Sequence, residues 1–328
     1  MGKEQTVLIL GATGGIGGEL MKLFAERGWG IRALNRNPSR KKPSSGAANV
    51  TWIKGDSMSA SDVRKAAAGA SVIVHAVNPP GYRNWAKLVL PMIDNTIAAA
   101  RTEGALIVLP GTVYNYGPDA FPDVAETAPQ NPRTRKGRIR VELERRLRKA
   151  STQGARVLIV RAGDFFGPRA GGSWFSQGMI TPGRPIKGMS YPGKPGIGHQ
   201  WAYLPDVART MLTLVERRGE LEPFATFHMD GHWDADGTAM VAAIGRAIGN
   251  PNLKARPLPW TLLRLISPFN ATLKEMMELR YLWQTPLRLN NAKLKAFLGA
   301  EPHTPLDRAV RDTLVGLGCI SASGGGAP

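Results

Sequence analysis

A chain of 328 residues, 43% of them hydrophobic, is long enough to bury the core of one large domain or of two closely joined domains. Its only cysteine, Cys319, excludes an intrachain disulfide and is typical of a reducing compartment, so we expect a cytoplasmic protein. The sequence opens on a strand pattern, and no apolar run reaches the roughly 18 residues that a membrane span requires. We therefore expect neither a secretory leader nor a membrane span.

The formal net charge of +18 indicates attraction to anionic partners. The sequence has no metal-ligand spacing, no aromatic RNA-binding signature and no recognition helix, so we expect no metal, and nucleic acid is not the expected partner. A solvated basic surface accounts for most of the charge. The two main basic clusters are Arg32, Arg36, Arg40, Lys41 and Lys42 near the second strand, and Arg133, Arg135, Lys136, Arg138, Arg140, Arg145, Arg146, Arg148 and Lys149 further on.

Strand patterns alternate with helical patterns through the first part of the chain, which is typical of a parallel sheet covered by helices on both faces. We predict an α/β fold of the Rossmann type, a doubly wound parallel sheet whose ligand crevice lies at the carboxyl ends of the strands. The predicted strands are 6–10, 30–34, 50–53, 71–76, 105–109 and 156–160, and the predicted helices are 16–27, 61–68, 84–101 and 138–150.

The alternation ends near residue 163, after which glycine and proline become frequent. We predict a Rossmann domain over residues 1–163, a smaller substrate-binding or lid region over 164–320 and a disordered tail over 321–328. Within the lid region the predicted elements are a helix over 202–217 that returns to the Rossmann domain, a strand over 225–229, a helix over 236–248 and a mainly helical segment over 257–283.

The first strand runs directly into a glycine-rich turn and a helix, the unit that holds a dinucleotide diphosphate. Gly11 permits the tight turn, Gly14 lets the phosphates approach the backbone, and Gly17 lets the helix pack closely on the strand. N–H groups at the helix N-terminus favour the anion. An ordinary glycine-rich loop is the alternative. The predicted cofactor contacts of this turn are Gly11, Thr13, Gly14, Gly15, Ile16 and Gly17.

The end of the second strand predicts which dinucleotide is bound. Asn35 and Arg36 stand there in place of the acidic side chain that usually meets a free ribose 2′-hydroxyl. The guanidinium of Arg36, with Arg40 and Lys41 close in sequence, suits a 2′-phosphate, so NADP is expected rather than NAD. A solvated surface arginine is the alternative interpretation.

The ends of the third and fourth strands complete the predicted cofactor site. An aspartate after the third strand would accept a hydrogen bond from the adenine amino group, or would serve as a turn or helix-cap residue. Small residues after the fourth strand would let the backbone lie against the ribose groups, while His75 within that strand is interpreted as a core histidine. The residues predicted here are Asp56, Ser57, Ala76, Val77 and Asn78.

Several motifs, taken together with the glycine-rich turn, resemble those of the extended short-chain dehydrogenase/reductases, the NAD-dependent epimerase/dehydratase family. The resemblance implies the fold described above and hydride chemistry on a nicotinamide cofactor. The motifs that carry it, besides Gly55-Asp56, are Val-Tyr-Asn-Tyr-Gly-Pro at 113–118, Arg-Ala-Gly-Asp-Phe-Phe-Gly-Pro at 161–168 and Trp-Ala-Tyr-Leu-Pro-Asp-Val-Ala at 201–208.

The family normally catalyses with a Tyr-x-x-x-Lys pair on the helix before the sixth strand. The spacing of four places both side chains on one face of that helix. Glu144 matches the family's glutamate one turn beyond the lysine, which places Lys136 at the tyrosine position and Arg140 at the lysine position. The resemblance then implies that Arg140 binds the nicotinamide ribose. Burial and neighbouring cations would fit Lys136 for general acid or base work.

The missing tyrosine leaves other residues as candidates for the proton transfer. Tyr114 and Tyr116 follow the fifth strand and would project from that loop into the same crevice. Thr112 matches the serine or threonine with which the family fixes the substrate oxygen. A further alternative is that Lys136 and Arg140 only bind anions or face solvent.

Two functions follow. The first is an NADP-dependent oxidoreductase or epimerase/dehydratase-like enzyme that moves hydride at a carbonyl or hydroxyl carbon of an anionic small molecule, such as a nucleotide sugar or an acyl-coenzyme A ester. The second is a non-catalytic NADP(H)-binding redox sensor or regulatory protein. The resemblance implies a homodimer through helices 84–101 and 138–150, whereas like charges on the second helix would repel in such an interface and favour a monomer.

Overall fold

The computed structural model describes residues 5–38, 49–79, 85–269 and 271–322, without the side chains of 271, 272 and 275. Across these residues no helix combines the length and the apolarity that crossing a membrane requires. Arg40, Lys41 and Lys42 lie outside the described residues, as does most of the predicted tail, from residue 323 onward.

The strands and helices alternate in the first part of the chain as the sequence predicts. The strands are β1 (Thr6–Leu10), β2 (Gly30–Asn35), β3 (Val50–Lys54), β4 (Val72–His75), β5 (Leu106–Gly111), β6 (Asp123–Val124), β7 (Arg156–Arg161), β8 (Asp164–Phe166), β9 (Met189–Tyr191), β10 (His199–Tyr203), β11 (Phe224–His228), β12 (His232–Asp234), β13 (Ala255–Pro257) and β14 (Arg288–Leu289). The helices are α1 (Gly15–Glu26), α2 (Ala60–Ala67), α3 (Trp85–Glu103), α4 (Arg135–Ser151), α5 (Leu204–Glu216), α6 (Ala239–Ala247), α7 (Trp260–Ile266), α8 (Ala271–Glu278), α9 (Ala292–Leu298) and α10 (Leu306–Gly316).

The main sheet has seven strands in the order β11-β7-β5-β4-β1-β2-β3. Its pairings from β7 across to β3 are parallel. The chain therefore starts in the middle of the sheet at β1, builds outward to β3, and then crosses to β4 on the other side. This reversal places the carboxyl ends of β1 and β4 next to each other at the switch point where ligands of such sheets bind. The predicted Rossmann-type fold is confirmed.

Apolar side chains on both faces of the strands explain why the sheet is covered twice. On one face, Leu8 and Ile107 belong to a buried cluster with Val63 of α2, Ile93 of α3 and Leu143 of α4. On the other face, α1 contacts β1 and β2. Strands buried on both faces lack the polar alternation of a half-exposed sheet, as the sequence of β1 shows.

Two compact units divide the chain. The first unit comprises Met1–Gly111, Arg135–Arg161 and Ala208–Phe227, and it contains the main sheet with its glycine-rich turn. The second unit comprises Thr112–Thr134, Ala162–Val207 and His228–Pro328.

The second unit has an aromatic core of its own. The indole rings of Trp201 and Trp283 lie 5.6 Å apart between centroids, and His199 stacks on Trp283 at 3.6 Å. The His199 ring is also held by Asp164, whose Oδ2 lies 3.0 Å from Nε2. Rings that pack edge to face or stacked contribute beyond the area that they bury.

Within residues 164–320, which were predicted as the lid region, the structure departs from prediction at the start of one helix. The helix predicted over 202–217 begins two residues later, at Leu204, because Ala202 and Tyr203 extend β10 and pair with β8. Every residue of β10 is buried, so pairing with β8 and β12 satisfies backbone groups that water does not reach. The mainly helical segment predicted over 257–283 forms α7 and α8 together with short 3₁₀ turns.

Candidate dinucleotide-binding site

The turn after β1 is closely packed against the end of β4. Gly11 has a φ of +92°, and a Cβ built on it would lie 2.5 Å from the carbonyl oxygen of Ala76. A Cβ on Gly17 would lie 2.2 Å from the carbonyl oxygen of Gly11. Both distances are far below van der Waals contact, so these two positions admit only glycine without backbone movement.

The outer side of the same turn is open. Thr13 and Gly14 are exposed, and a Cβ on Gly14 would meet only the Gly11 carbonyl oxygen, at 3.3 Å. Helix α1 begins at Gly15, with Ile16 in its first turn, and has neither a side-chain cap at Gly14 nor an acidic residue in the first turn. A diphosphate fits this arrangement, because the helix N-terminus presents donors and partial positive charge to a turn with no side chain in the way.

The end of β2 carries a cation and no acid. Asn35 Oδ1 accepts a hydrogen bond from the Asn37 backbone N–H at 2.8 Å, which forms a local turn. Arg36 between them is exposed, and no acidic residue follows up to Pro38. The exposed side chain that follows β2 is therefore a guanidinium rather than a carboxylate.

The residues after β3 are engaged in local contacts. Asp56 Oδ1 accepts a hydrogen bond from the Met58 backbone N–H at 3.0 Å, which is the turn role foreseen as the alternative to adenine binding. Ser57 Oγ lies 3.1 Å from the sulfur of Met92 on α3. Asp56 therefore stabilises the β3–α2 connection, and Ser57 joins that connection to α3.

His75 at the end of β4 is a satisfied core residue. Its Nδ1 lies 2.8 Å from Thr96 Oγ1, and that hydroxyl donates to the Met92 carbonyl oxygen at 3.1 Å, so Nδ1 is the protonated nitrogen. Burial lowers the pKa of His75 to about 3, and the nearby Arg140 charge contributes to the same shift. The ring is therefore neutral at physiological pH.

Helix α4 presents two buried cations on one face. Lys136 is fully buried and its Nζ lies 5.6 Å from the ring centroid of Trp85. The guanidinium of Arg140 lies 5.0 Å from the same ring, and its Nη2 donates to Asn78 Oδ1 at 2.9 Å. Asn78 is two residues beyond Ala76, which abuts the glycine turn. The two cations therefore lie at the same edge of the first unit as that turn, held by cation–π contacts and a charge-assisted hydrogen bond.

The register of this helix is fixed by a buried ion pair. Glu144 Oε2 accepts from Arg161 Nη2 at 2.5 Å and Oε1 accepts from Nε at 3.1 Å, and both side chains are nearly inaccessible to water. Because Glu144, Arg140 and Lys136 are spaced four residues apart, this pair also holds the two cations on the sheet-facing side.

The cations of the second basic cluster differ in burial. Lys136 and Arg140 are buried, and Arg146 is half-buried in a pair with Glu142. The others are exposed, as expected for a solvated face, and they would bring like charges together in a symmetric interface built on α4. The exposed members are Arg133, Arg135, Arg138, Arg145, Arg148 and Lys149.

The residues after β5 belong to the second unit. Thr112 is half-buried and caps a 3₁₀ turn, since its Oγ1 accepts from the Tyr114 backbone N–H at 3.3 Å. Tyr114 is also half-buried. Asn115 is fully buried and donates from Nδ2 to Gln130 Oε1 at 3.1 Å, which anchors the loop.

Tyr116 lies in the core of the second unit. Its hydroxyl is 2.9 Å from His228 Nε2, and His228 Nδ1 is 2.9 Å from the Val124 carbonyl oxygen. A carbonyl only accepts, so Nδ1 carries the proton and the Tyr116 hydroxyl donates to Nε2. The phenol is fully buried and serves as a donor to a core histidine.

Sequence reasoning missed Trp85. It follows a segment outside the described residues and begins α3, where it forms the surface under both buried cations. Its place in the sequence could have indicated this role. The N-terminal end of a helix that follows a parallel strand faces the carboxyl edge of the sheet, and Trp85 lies at such an end.

The fold and the glycine-rich turn place the chain among proteins of the Rossmann class. The sequence profile described as the NAD dependent epimerase/dehydratase family matches residues 7–225, and the chain belongs to this family. None of the curated proteins matches the chain in sequence.

Solved structures of similar fold cover nearly the whole chain. MoeE5 in complex with UDP-glucose and NAD superposes with a TM-score of 0.73 at 16% identity, over 95% of this chain and 98% of that chain. The UDP-glucose 4-epimerase of Thermus thermophilus in complex with NAD gives 0.71 at 18% identity, over 95% and 99%. The Bordetella bronchiseptica enzyme WbmH in complex with NAD⁺ gives 0.68 at 18% identity, over 95% and 97%. At these identities the likeness is one of fold.

Proposed function

We propose that the chain is a nicotinamide-dinucleotide-dependent enzyme of the epimerase/dehydratase type that acts on an anionic small molecule. The observation that carries the proposal is the contact between Arg140 and Asn78, which brings a buried cation of α4 to the edge of the sheet where the open glycine turn lies. A buried guanidinium at this edge suits a ligand that carries phosphate groups.

Arg140 takes the part of the family's lysine in this proposal. Its guanidinium, oriented by Asn78 and Trp85, donates to the ribose hydroxyls next to the nicotinamide. Because a guanidinium keeps its protons, Arg140 binds and orients but moves no proton. The nicotinamide itself would supply or accept the hydride.

Lys136 Nζ is the proposed proton carrier at the substrate oxygen. It stands at the position of the family's tyrosine, four residues before Arg140 and over the same Trp85 ring. Its amine is fully buried, so the proton that it exchanges would pass to a bound substrate rather than to bulk water. Thr112 is proposed to orient the substrate oxygen. Tyr114 is the alternative proton carrier, in place of Lys136.

The proposed form of the cofactor is NADP. The exposed Arg36 and the absence of an acid over residues 35–38 support a 2′-phosphate, whereas the three solved structures named above are complexes with NAD. Titration calorimetry with NADPH and NADH tests this choice. Arg36→Ala should weaken NADPH by about tenfold or more and leave NADH unchanged. Arg64→Ala, which removes an exposed arginine at the far end of α2, is the matched control and should change neither.

The proposed substrate class is a nucleoside diphosphate sugar. One of the structures named above, MoeE5, is a complex with UDP-glucose, and a net charge of +18 suits a substrate that carries two phosphates. Turnover of a panel of nucleotide sugars with NADP or NAD tests the activity. Lys136→Met, which keeps the volume of the side chain, should abolish turnover while dinucleotide binding persists.

Restoring the family pair gives a sharper test. The double variant Lys136→Tyr with Arg140→Lys should retain or raise the turnover, whereas Arg140→Met should lose dinucleotide affinity. If Lys136→Met turns over at the wild-type rate, the proton passes through another group and the role of Lys136 is refuted.

A redox sensor is the second candidate, and the absence of the family's tyrosine at position 136 favours it. It predicts dinucleotide binding of the same affinity without turnover of any nucleotide sugar. The panel assay therefore separates the two functions, while calorimetry tests the binding that both require.

A further inference from the structure

Three side chains far apart in sequence meet within the second unit. Asp206 lies in the first turn of α5, His232 opens β12, and His303 lies shortly before α10. Each offers one ligand atom, and these atoms all lie within 4.8 Å of one another. None of the three takes part in the proposed dinucleotide site, and their separation along the chain explains why no metal-ligand spacing marks them in the sequence.

His232 is the buried member whose chemistry is otherwise unexplained. His232 is 8% exposed, and its Nε2 makes no hydrogen bond to any described residue. The ring packs edge to face on Phe166 at 5.6 Å and lies 4.4 Å from the ring of His303. A buried imidazole nitrogen without a hydrogen bond is costly, and a bound cation is one way to satisfy it.

Asp206 is fixed in orientation by the segment that carries His303. Its Oδ2 accepts from the Thr304 backbone N–H at 2.7 Å and its Oδ1 accepts from the Thr304 hydroxyl at 2.7 Å. A carboxylate oxygen has two lone pairs, so accepting a hydrogen bond is compatible with binding a cation. Such outer hydrogen bonds are the kind that orient metal-binding carboxylates.

We propose that Asp206, His232 and His303 bind one divalent transition-metal ion of the zinc type. Two imidazoles and one carboxylate form a donor set that zinc prefers, whereas calcium and magnesium require oxygen ligands. Tetrahedral zinc with bonds of about 2.0–2.1 Å separates its ligand atoms by about 3.3 Å. His303 is exposed, so its side chain rotates to close the remaining distance at little cost. A water molecule takes the fourth position on the exposed side.

The bound ion would link α5, β12 and the segment before α10. These elements come from distant parts of the chain, so ligation would constrain the second unit in the way that structural zinc sites do. The expected consequence is a higher Tm in the presence of zinc, with no change in dinucleotide affinity.

Zinc titration of the 328-residue chain, without a tag and after removal of metal by a chelator, tests the proposal. Calorimetry should show one zinc ion per chain, and calcium should not compete. His303→Gln should weaken zinc binding more than about 100-fold and remove the rise in Tm. His303→Cys, which keeps a zinc ligand, should restore binding. The control Asp312→Asn removes one half-exposed acid of α10 that pairs with Arg308, and it should bind zinc as the wild type does.

Two results would overturn the site. One is the lack of stoichiometric zinc uptake by the wild-type protein, and the other is zinc uptake that His303→Gln leaves unchanged. His303 is preferred to Asp206 for this test because Asp206 also anchors Thr304, and its removal would disturb the fold. NADPH titration of His303→Gln keeps this result separate from the proposed function, since the affinity should equal that of the wild type.

Discussion

Replacing Glu144 by glutamine tests whether the buried ion pair positions α4. The change leaves the Arg161 guanidinium charged at 1% exposure while its carboxylate partner becomes a neutral amide. Loss of the charge of one member of a buried ion pair costs about 3–5 kcal/mol, because the remaining charge is then desolvated without its counter-charge. With a urea m-value of about 3 kcal/mol/M, the unfolding midpoint should fall by about 1–1.7 M.

Glu142 on the same helix provides the matched control. It also pairs with arginines, Arg145 and Arg146, at 2.6 and 2.9 Å, but its side chain is 29% exposed. Such pairs contribute about 0.2–1 kcal/mol, so Glu142→Gln should lower the midpoint by about 0.3 M or less. Urea unfolding of both variants by far-UV circular dichroism checks the difference. Equal midpoints for Glu144→Gln and Glu142→Gln would refute the reasoning.

Three further predictions concern the turn, a core histidine and a core tyrosine. Gly14→Ala should fold normally but bind NADPH more weakly, whereas Gly17→Ala, whose Cβ would lie 2.2 Å from a carbonyl oxygen, should lower Tm by several degrees in a thermal scan. The pKa of His75 is about 3 in the folded protein and 6.5 in the unfolded chain, so the unfolded chain takes up the proton first as the pH falls. The contribution of His75 to the free energy of unfolding is therefore complete above pH 6.5 and is lost as the pH falls toward 3. His75→Gln should flatten that part of a profile of urea stability against pH. Tyr116→Phe should cost about 1 kcal/mol of unfolding free energy through the lost bond to His228 and leave turnover intact; loss of turnover with unchanged stability would contradict this.

The first unit was predictable because its signals are local. β1, its glycine turn and α1 follow one another in sequence, and strands buried on both faces are continuous apolar runs. The spacing of Lys136, Arg140 and Glu144 predicted one helical face, and the structure places all three on it. The periodicity of a helix and the apolar run of a buried strand both lie within one short segment of sequence, so they do not depend on distant residues.

The second unit was harder because its elements depend on distant partners. Ala202 and Tyr203 have no local signal that favours a strand over the start of a helix, and β10 exists because β8 and β12 pair with it. Folding alone brings together the side chains that define two further features. These are the contact of Trp85 with the buried cations and the cluster of Asp206, His232 and His303. Periodicity in one sequence carries no information on such contacts.

The central claim is that a nicotinamide dinucleotide binds at the turn between β1 and α1, with Arg140 at its nicotinamide ribose. A crystal structure of the protein soaked with NADPH tests it most directly. The account predicts diphosphate density against the backbone N–H groups of residues 14–17, the 2′-phosphate beside Arg36 and the ribose within hydrogen-bond distance of Arg140. Density for the dinucleotide at another place, or none at millimolar NADPH, would contradict it.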